Sequence, residues 1–272
     1  MSNQETVAAA CCSEPPTELE PAVQAIKDFY NSVAEGEGSY AAGTDKFSPS
    51  GPTERIKELV LGSQKQRILD IGCGMGTTLL SLANSYTFGQ QFIGIDFSEK
   101  MIDRARERSR ELSSAYRGKT GFFVADVQAL PYMDGQFDFI YSECVLNLVP
   151  DRVKAIGEIS RLLEPKGIFV YTDFVSYAPV PDTIRGDLSL VSGCRAGSIP
   201  LSENIAQLEN AGFTDIEIVN FTEDKNKRYA ELMASSEEYK ADYLSFQDTH
   251  PEAFAFLEEK VGYYLIKAMK SE

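Results

Sequence analysis

The sequence predicts an α/β protein with a doubly wound, mostly parallel, seven-stranded sheet, N-terminal helices and a C-terminal helical insertion. Short apolar segments alternate with longer amphipathic segments between residues 67 and 172, as strands alternate with crossover helices. Residues 169–171 are apolar on both faces, which indicates a sheet covered by helices on each side. A glycine-rich turn at residues 72–76 follows the first apolar segment, where sheets of this kind bind ligands.

The elements follow in order from these patterns. Residues 1–20 lack periodicity and are predicted to form a flexible lead, and residues 34–53 form a Gly-, Ser- and Pro-rich loop. Helices are predicted over residues 21–33, 53–61, 77–85, 99–112 and 151–163. Strands are predicted over residues 67–71, 91–96, 121–125, 137–142 and 167–172.

The pattern changes after residue 174. A Pro- and Gly-rich segment covers residues 175–200, and Gly212 is expected to end the helix that follows it. The remaining elements are a helix over 201–211, a strand over 215–220, a charged helical stretch over 225–260 and a strand over 261–269. The charged residues of 223–242 are expected to form a solvated helix face. The predicted domains are the lead (1–20), an N-terminal helical cap (21–62), a core (63–222) and a C-terminal segment of helices and last strand (223–272).

Composition excludes several classes of function. The formal net charge of −15 disfavours binding to nucleic acid or to an anionic membrane surface. Five cysteines, with no C-x-x-C pair and no export signal, are expected to be reduced thiols in a cytoplasmic protein. The single histidine, His250, is expected at a helix end or in a loop, so a histidine-based triad or metal site is excluded.

The glycine turn carries the first chemical signal. A strand ending near Asp70 leads into Gly72 and Gly74, whose lack of a side chain lets a ligand approach the backbone. Asp96 ends the next strand about 20 residues on, a position from which a carboxylate reaches ribose hydroxyls. Dinucleotide enzymes and S-adenosylmethionine enzymes share this arrangement, and the G-x-G-x-G spacing favours S-adenosylmethionine.

With Asp126-Val127 after the third strand and Phe137-Asp138 in the fourth, residues 60–175 resemble class I S-adenosylmethionine-dependent methyltransferases. The resemblance implies a Rossmann-like fold, with Asp126 and Val127 at the adenine edge. It implies a cofactor site formed by Tyr30, Asp70, Gly72, Cys73, Gly74, Asp96, Phe97, Met101, Asp126, Val127 and Glu143.

Two cysteines follow the fourth and fifth strands. Cys144 and Cys194 are therefore expected at the carboxyl ends of the strands, where ligands collect. Residues 142–148, the segment 177–197 and the early segment 29–36 resemble arsenite methyltransferases, so this resemblance covers about residues 22–200. It implies that Cys144 and Cys194 are catalytic and hold trivalent arsenic as substrate, since soft thiolates suit a thiophilic centre.

The chain departs from that family's pattern in one respect. The family usually has further cysteines upstream of the glycine turn, whereas residues 37–66 contain none and Ser39-Tyr40 stands in their place. Cys11 and Cys12 replace them if the lead folds back. Otherwise the acceptor is an already methylated arsenical, or a small thiol such as glutathione serves as co-substrate and third ligand. The resemblance also implies thioredoxin or glutathione as reductant.

Two other functions remain open from the residues. The chain is a small-molecule C-, O- or N-methyltransferase if its cysteines are only structural, since Cys is often a small buried apolar residue. It is a thiol-based metalloid sensor if it has kept the fold without the reaction, although a sensor needs no cofactor site.

Overall fold

The computed structural model describes residues 20–36, 50–85, 89–111 and 119–272. The strands are β1 (Arg67–Ile71), β2 (Gln91–Asp96), β3 (Thr120–Val124), β4 (Phe137–Glu143), β5 (Leu163–Ser176), β6 (Ile199–Pro200), β7 (Phe213–Asn220) and β8 (Val261–Lys270). The described helices are α1 (Pro21–Glu35), α2 (Ser50–Ser63), α3 (Thr77–Ser85), α4 (Glu99–Glu111), α5 (Arg152–Leu162), α6 (Asp182–Arg185), α7 (Leu201–Asn210), α8 (Thr222–Ser235), α9 (Glu237–Thr249) and α10 (Pro251–Lys260).

The strands form one sheet in the order β3-β2-β1-β4-β5-β8-β7, and the two-residue β6 pairs with β5. Strands β1 to β5 are parallel to one another. Strand β8 inserts between β5 and β7 and runs antiparallel to both. The doubly wound, mostly parallel sheet predicted from the sequence is confirmed.

Apolar side chains lie on both faces of the sheet. Ile68 and Phe139 belong to a buried cluster with helices α2, α3 and α4, whereas Leu69 and Ile140 belong to a cluster with α5 and α7. Successive strand residues point to opposite faces, so consecutive apolar residues fill both layers. This two-sided covering leaves the carboxyl ends of the strands as the open edge, where loops form a site.

The C-terminal segment differs from its prediction. The helical stretch over 225–260 is three helices, because the Ser236 side chain caps α9 by accepting from the Tyr239 N–H and Pro251 begins α10. His250 lies at the junction of α9 and α10, as expected of a helix-end residue. The expectation that residues 223–242 form a solvated face is wrong in part, because Lys225, Leu232 and Tyr239 are buried.

Strand β5 is longer than predicted, since pairing with β8 extends it to Ser176. The predicted flexible lead, with Cys11 and Cys12, and the Ser39-Tyr40 position lie outside the described residues. Within the described ranges no helix is both long and apolar enough to cross a membrane.

Candidate active site

The glycine turn leaves β1 in a backbone conformation that only glycine adopts easily. Gly72, Gly74 and Gly76 have φ values of 69°, 51° and 75°. A Cβ atom at Gly72 would lie 2.2 Å from Cγ2 of Val145, so the turn also packs directly on the residue after Cys144. Gly74 has nothing within 4 Å of the corresponding position and opens into a cavity.

Three carboxylates face this cavity near the turn. Asp70 is buried and accepts from the Tyr141 hydroxyl at 2.9 Å. Asp96 accepts from the N–H of Gly74 and the N–H of Ser98, both at 2.9 Å. Glu143, at the end of β4, accepts from the Thr53 and Thr78 hydroxyls at 2.5 and 2.7 Å.

Burial raises the pKa of each of these carboxyls, and for Asp70 the nearby Glu143 and Asp96 raise it further. Within the described part of the chain, none of the three has a lysine or arginine within ion-pair distance. A cationic ligand with amine and hydroxyl groups would supply the missing positive charge and the remaining hydrogen bonds. S-adenosylmethionine has this chemistry, so the residues fit it.

The other residues expected around a cofactor line the same cavity. Met101 is buried against Val33 of α1, and Val127 is buried where the loop after β3 meets the core. Asp126 accepts from the N–H of Gln128 at 2.8 Å, and Phe97 lies 5.2 Å from the Lys27 ammonium. We call the part of the cavity around Asp70, Gly72, Gly74 and Asp96 the glycine-loop end.

Cys144 and Cys194 meet at the other end. The Cys194 thiol donates to the backbone carbonyl oxygen of Cys144 at 3.0 Å, and the Cys144 thiol donates to the Tyr263 hydroxyl at 3.2 Å. Both cysteines are free. Contact with the Cys194 thiol, then burial, raises the pKa of Cys144 well above its usual range, so its thiol is protonated at neutral pH. We call the region around Cys144, Cys194 and Tyr263 the cysteine end.

Local backbone geometry creates this contact. Cys144 has φ 57°, a left-handed conformation that is unusual outside glycine and asparagine, directly after β4. The loop with Cys194 is held against the 3-10 helix Leu146–Leu148, since a Cβ at Gly197 would lie 1.9 Å from the Asn147 carbonyl oxygen. Tyr30 of α1 reaches the same loop, with its hydroxyl 3.4 Å from the Ser192 carbonyl oxygen and 3.9 Å from Cys194 Sγ.

A buried polar network supports the loop from below. Asp173 accepts from the backbone N–H of Asn147 at 3.0 Å, and Arg152 donates to the Asn147 side chain at 3.1 Å. Burial raises the pKa of Asp173 to about 6, and Arg152 opposes this rise. The network fixes Asn147, and through it the position of Gly197 and Cys194.

The structure thus brings the residues expected to bind the cofactor, together with Cys144 and Cys194, to one cavity of about 700 Å³. These residues are Tyr30, Asp70, Gly72, Cys73, Gly74, Asp96, Phe97, Met101, Asp126, Val127, Glu143, Cys144 and Cys194. Cys73 also packs beneath the strand, since a Cβ at Gly94 would lie 2.8 Å from its sulfur.

Several residues of the site carry no signal in the sequence. Tyr263 lies on a strand 119 residues from Cys144, and Thr53 lies on a helix 90 residues from Glu143. Thr78 lies in the first turn of α3, directly after the glycine turn, so its position in the sequence could have indicated that it belongs to the site. No group of three or more His, Cys, Asp or Glu side chains in the described residues is arranged to hold a metal ion.

The comparisons with known proteins agree on the fold and differ in acceptor. The family described as "Methyltransferase domain" matches residues 63–240. Arsenite methyltransferase of Halobacterium salinarum is 29% identical over 185 residues, which cover 68% of this chain and 46% of that protein. The 27-O-demethylrifamycin SV methyltransferase of Amycolatopsis mediterranei is 29% identical over 230 residues, which cover 81% and 83% respectively. The chain thus matches less than half the length of the first of these relatives.

A solved structure gives the same picture. Phosphoethanolamine N-methyltransferase 2 of Haemonchus contortus, in complex with S-adenosyl-L-methionine, aligns with a TM-score of 0.68 at 20% identity. The alignment covers 95% of this chain and 61% of that one. At this identity the likeness concerns the fold alone, and the Rossmann-like class I methyltransferase fold expected from the sequence is confirmed.

Proposed function

The chain belongs to the methyltransferase domain family, and on that premise we propose that it methylates a trivalent arsenical held by the thiols of Cys144 and Cys194. At the level of the family it is an S-adenosylmethionine-dependent methyltransferase that acts on a small molecule. One observation carries the proposal for the acceptor. Two free cysteines far apart in sequence lie in contact within the cavity that also holds the glycine turn.

The glycine-loop end is proposed to hold the cofactor. Asp96 retains acceptor capacity for ribose hydroxyls, and Asp70 and Glu143 supply negative charge for a cationic ligand. Phe97 and Met101 offer apolar surface for the adenine ring of the cofactor. When bound, S-adenosylmethionine supplies a methyl group activated by a positively charged sulfur.

The thiols of Cys144 and Cys194 suit an arsenical with As–OH bonds. Each cysteine forms an As–S bond as one As–OH bond breaks, and the thiol proton leaves with the hydroxyl as water. A raised pKa at Cys144 is therefore compatible with binding, because metalloid binding displaces the proton. Two protein thiols saturate an arsenical that already carries one methyl group, whereas inorganic arsenite needs a third ligand.

Methylation at arsenic also explains the residues around the cysteines. Trivalent arsenic has its own lone pair, so no general base has to remove a proton, and the protein mainly orients the acceptor. The only histidine of the chain, His250, lies 3.6 Å from Asp187 and does not line the cavity. Tyr263 and the 3-10 helix hold the two thiols in one place.

The second candidate is methyl transfer to an oxygen of a small organic molecule. It is favoured by the relative from Amycolatopsis mediterranei, whose alignment covers more of this chain than the arsenite relative does. In that case a group within the cavity would have to act as base, and Glu143, whose pKa is raised by burial, is the candidate.

The deciding experiment offers labelled S-adenosylmethionine together with a panel of acceptors. The panel contains arsenite, methylarsonous acid, a phenol, an aliphatic alcohol and an amine. We expect label in methylated arsenic, with methylarsonous acid the best acceptor. Transfer of label to the phenol or alcohol but to neither arsenical would contradict the proposal and support the second candidate.

A further inference from the structure

The cavity is lined by a buried lysine to which the proposed binding of cofactor and arsenical assigns no role. Lys225, in the first turns of α8, is 1% exposed and lines the cavity. No described carboxylate lies within ion-pair distance of its ammonium and no described group accepts a hydrogen bond from it. The ammonium lies over the Tyr229 ring, 5.3 Å from its centroid.

The neighbouring cations of the cavity are all paired with carboxylates. Lys57 lies 2.9 Å from Glu54, and Arg228 lies 3.5 Å from its neighbour on α8, Glu231. Arg195 lies 2.7 Å from Glu258 on α10. Lys225 is therefore the exception among the described cations that line the cavity.

The position of Lys225 is unfavourable for its charge. Burial lowers its pKa, Arg195 lowers it further by repulsion, and only Glu258 acts in the opposite direction. Buried charges in folded proteins are normally paired, and one that is not calls for a specific explanation. A ligand that brings its own negative charge provides one.

Short contacts link Lys225 to the cysteine end. The backbone N–H of Lys225 donates to the Phe221 carbonyl oxygen at 3.0 Å, and the backbone N–H of Phe221 donates to the Tyr263 carbonyl oxygen at 2.8 Å. The Tyr263 hydroxyl oxygen in turn accepts a hydrogen bond from the Cys144 thiol. Arg195, which repels the Lys225 ammonium, follows Cys194 directly in the chain.

The two ends of the cavity therefore differ in charge. The glycine-loop end carries Asp70 and Asp96, and the wall next to the cysteine end carries an ammonium without a carboxylate. Building on the proposed function, we infer that Lys225 binds a carboxylate of the acceptor, which selects arsenicals that carry an anionic group over neutral ones. The carboxylate belongs either to an organic group bonded to arsenic or to a thiol that serves as its third ligand.

The first arm of the test compares phenylarsonous acid with its 4-carboxyphenyl analogue, which differ by one carboxylate. Affinity is measured by calorimetry without cofactor, and kcat and KM are measured with cofactor. The wild-type chain is expected to prefer the carboxylated compound by at least about tenfold, mainly through KM. Lys225→Met should abolish the preference while leaving the affinity, kcat and KM for the neutral compound unchanged. Lys225→Arg should retain most of the preference.

The second arm identifies the source of the carboxylate. Arsenite is supplied with either 3-mercaptopropionate or 2-mercaptoethanol as the external thiol. A preference for the first thiol that disappears in Lys225→Met places the carboxylate on the thiol, whereas a preference confined to the first arm places it on the organic group. Equal discrimination by wild type and Lys225→Met in both arms overturns the inference.

Thermal unfolding supplies a readout that does not depend on arsenic. If Lys225 serves a ligand, Lys225→Met should melt at the same or a higher temperature, because it removes an unpaired buried charge. A lower melting temperature together with unchanged discrimination would mean that Lys225 is structural. If both aryl arsenicals bind with a Lys225-dependent preference but neither they nor methylarsonous acid are methylated, the proposed function fails and the carboxylate site stands.

Discussion

The thiol of Cys194 donates a hydrogen bond to the backbone carbonyl oxygen of Cys144, 50 residues earlier in the chain. The left-handed backbone of Cys144 turns this residue out of the strand direction of β4. Its carbonyl oxygen contacts Cys194 while its thiol contacts Tyr263. The two cysteines are thus held as one unit before any ligand arrives.

A double-mutant cycle tests that unit. Cys144→Ser and Cys194→Ser should each nearly abolish arsenical methylation, because one thiol leaves an incomplete site. The double variant should be little worse than either single variant, since the effects of groups that act together are not additive. The affinity for S-adenosylmethionine, measured by calorimetry, should stay unchanged in all three. A single variant that keeps most of its activity would contradict the shared site.

Asp96 is expected to determine cofactor affinity. Asp96→Ala should weaken S-adenosylmethionine binding at least about tenfold, because hydrogen bonds to a charged group contribute about 1.5–3 kcal/mol. Asp103→Ala, which removes an exposed carboxylate on α4, is the matched control. Equal affinities of the two variants would reject the assignment of Asp96.

Gly197 is expected to control the position of Cys194. Gly197→Ala should lower the free energy of unfolding by about 1–3 kcal/mol, because its Cβ would overlap the Asn147 carbonyl oxygen. It should also reduce arsenical methylation more than cofactor binding. In Gly193→Ala, in the same loop, the nearest atom to the new Cβ is 3.5 Å away, so its unfolding free energy should stay close to that of the wild type. Equal destabilisation of both variants would contradict the proposed close approach.

Asp173 is expected to make stability depend on pH. Its pKa is about 6 in the folded chain against a usual value of 3.8, so the folded state holds this proton more tightly. The stability it contributes is present below pH 4 and is lost as the pH rises through 6. Between these limits the loss is about 3 kcal/mol.

The Asp173→Asn variant isolates this contribution. Urea unfolding of wild type and variant at several pH values gives the difference in unfolding free energy. Relative to the wild type, the unfolding free energy of the variant should increase between pH 4 and pH 7. Above pH 7 the difference should stay constant. A difference independent of pH would show that Asp173 does not titrate in this range.

Cys11 and Cys12 are expected to be dispensable for a monomethylated arsenical. Deletion of residues 1–18 should barely change turnover of methylarsonous acid, because two thiols already saturate its arsenic. Arsenite should be used poorly with or without the deletion unless excess small thiol is present. Selective loss of arsenite methylation on deletion would mean that these cysteines supply the third ligand.

Local patterns predicted the parts of the fold that depend on neighbouring residues. Strands β1 and β2, helix α3 and the glycine turn agree with the sequence patterns, because apolar segments and glycine positions encode them directly. The approach of Cys144 to Cys194 was implied by a resemblance, and position after successive strands supported it.

Long-range packing explains what the sequence patterns missed. The many charges of α8 are typical of a solvated helix, yet α8 packs against β8 close to Arg195, and Lys225 is buried there. Tyr263 lies in β8, where the sequence pattern indicates that the strand is buried but does not indicate which residues Tyr263 contacts. The contact of its hydroxyl with Cys144 depends on β8 inserting between β5 and β7.

The insertion of β8 between β5 and β7 determines when, during folding, the Cys144 thiol acquires its contact with Tyr263. Tyr263 and Thr172 are 91 residues apart in sequence, so β8 reaches β5 only after a large loop has closed, which is a slow kind of contact to form. Until then the Cys144 thiol has no hydroxyl beside it. A nascent or refolding chain is therefore open to oxidants and to capture of metalloids in unproductive geometries, and the thiols are shielded only once the last strand is in place.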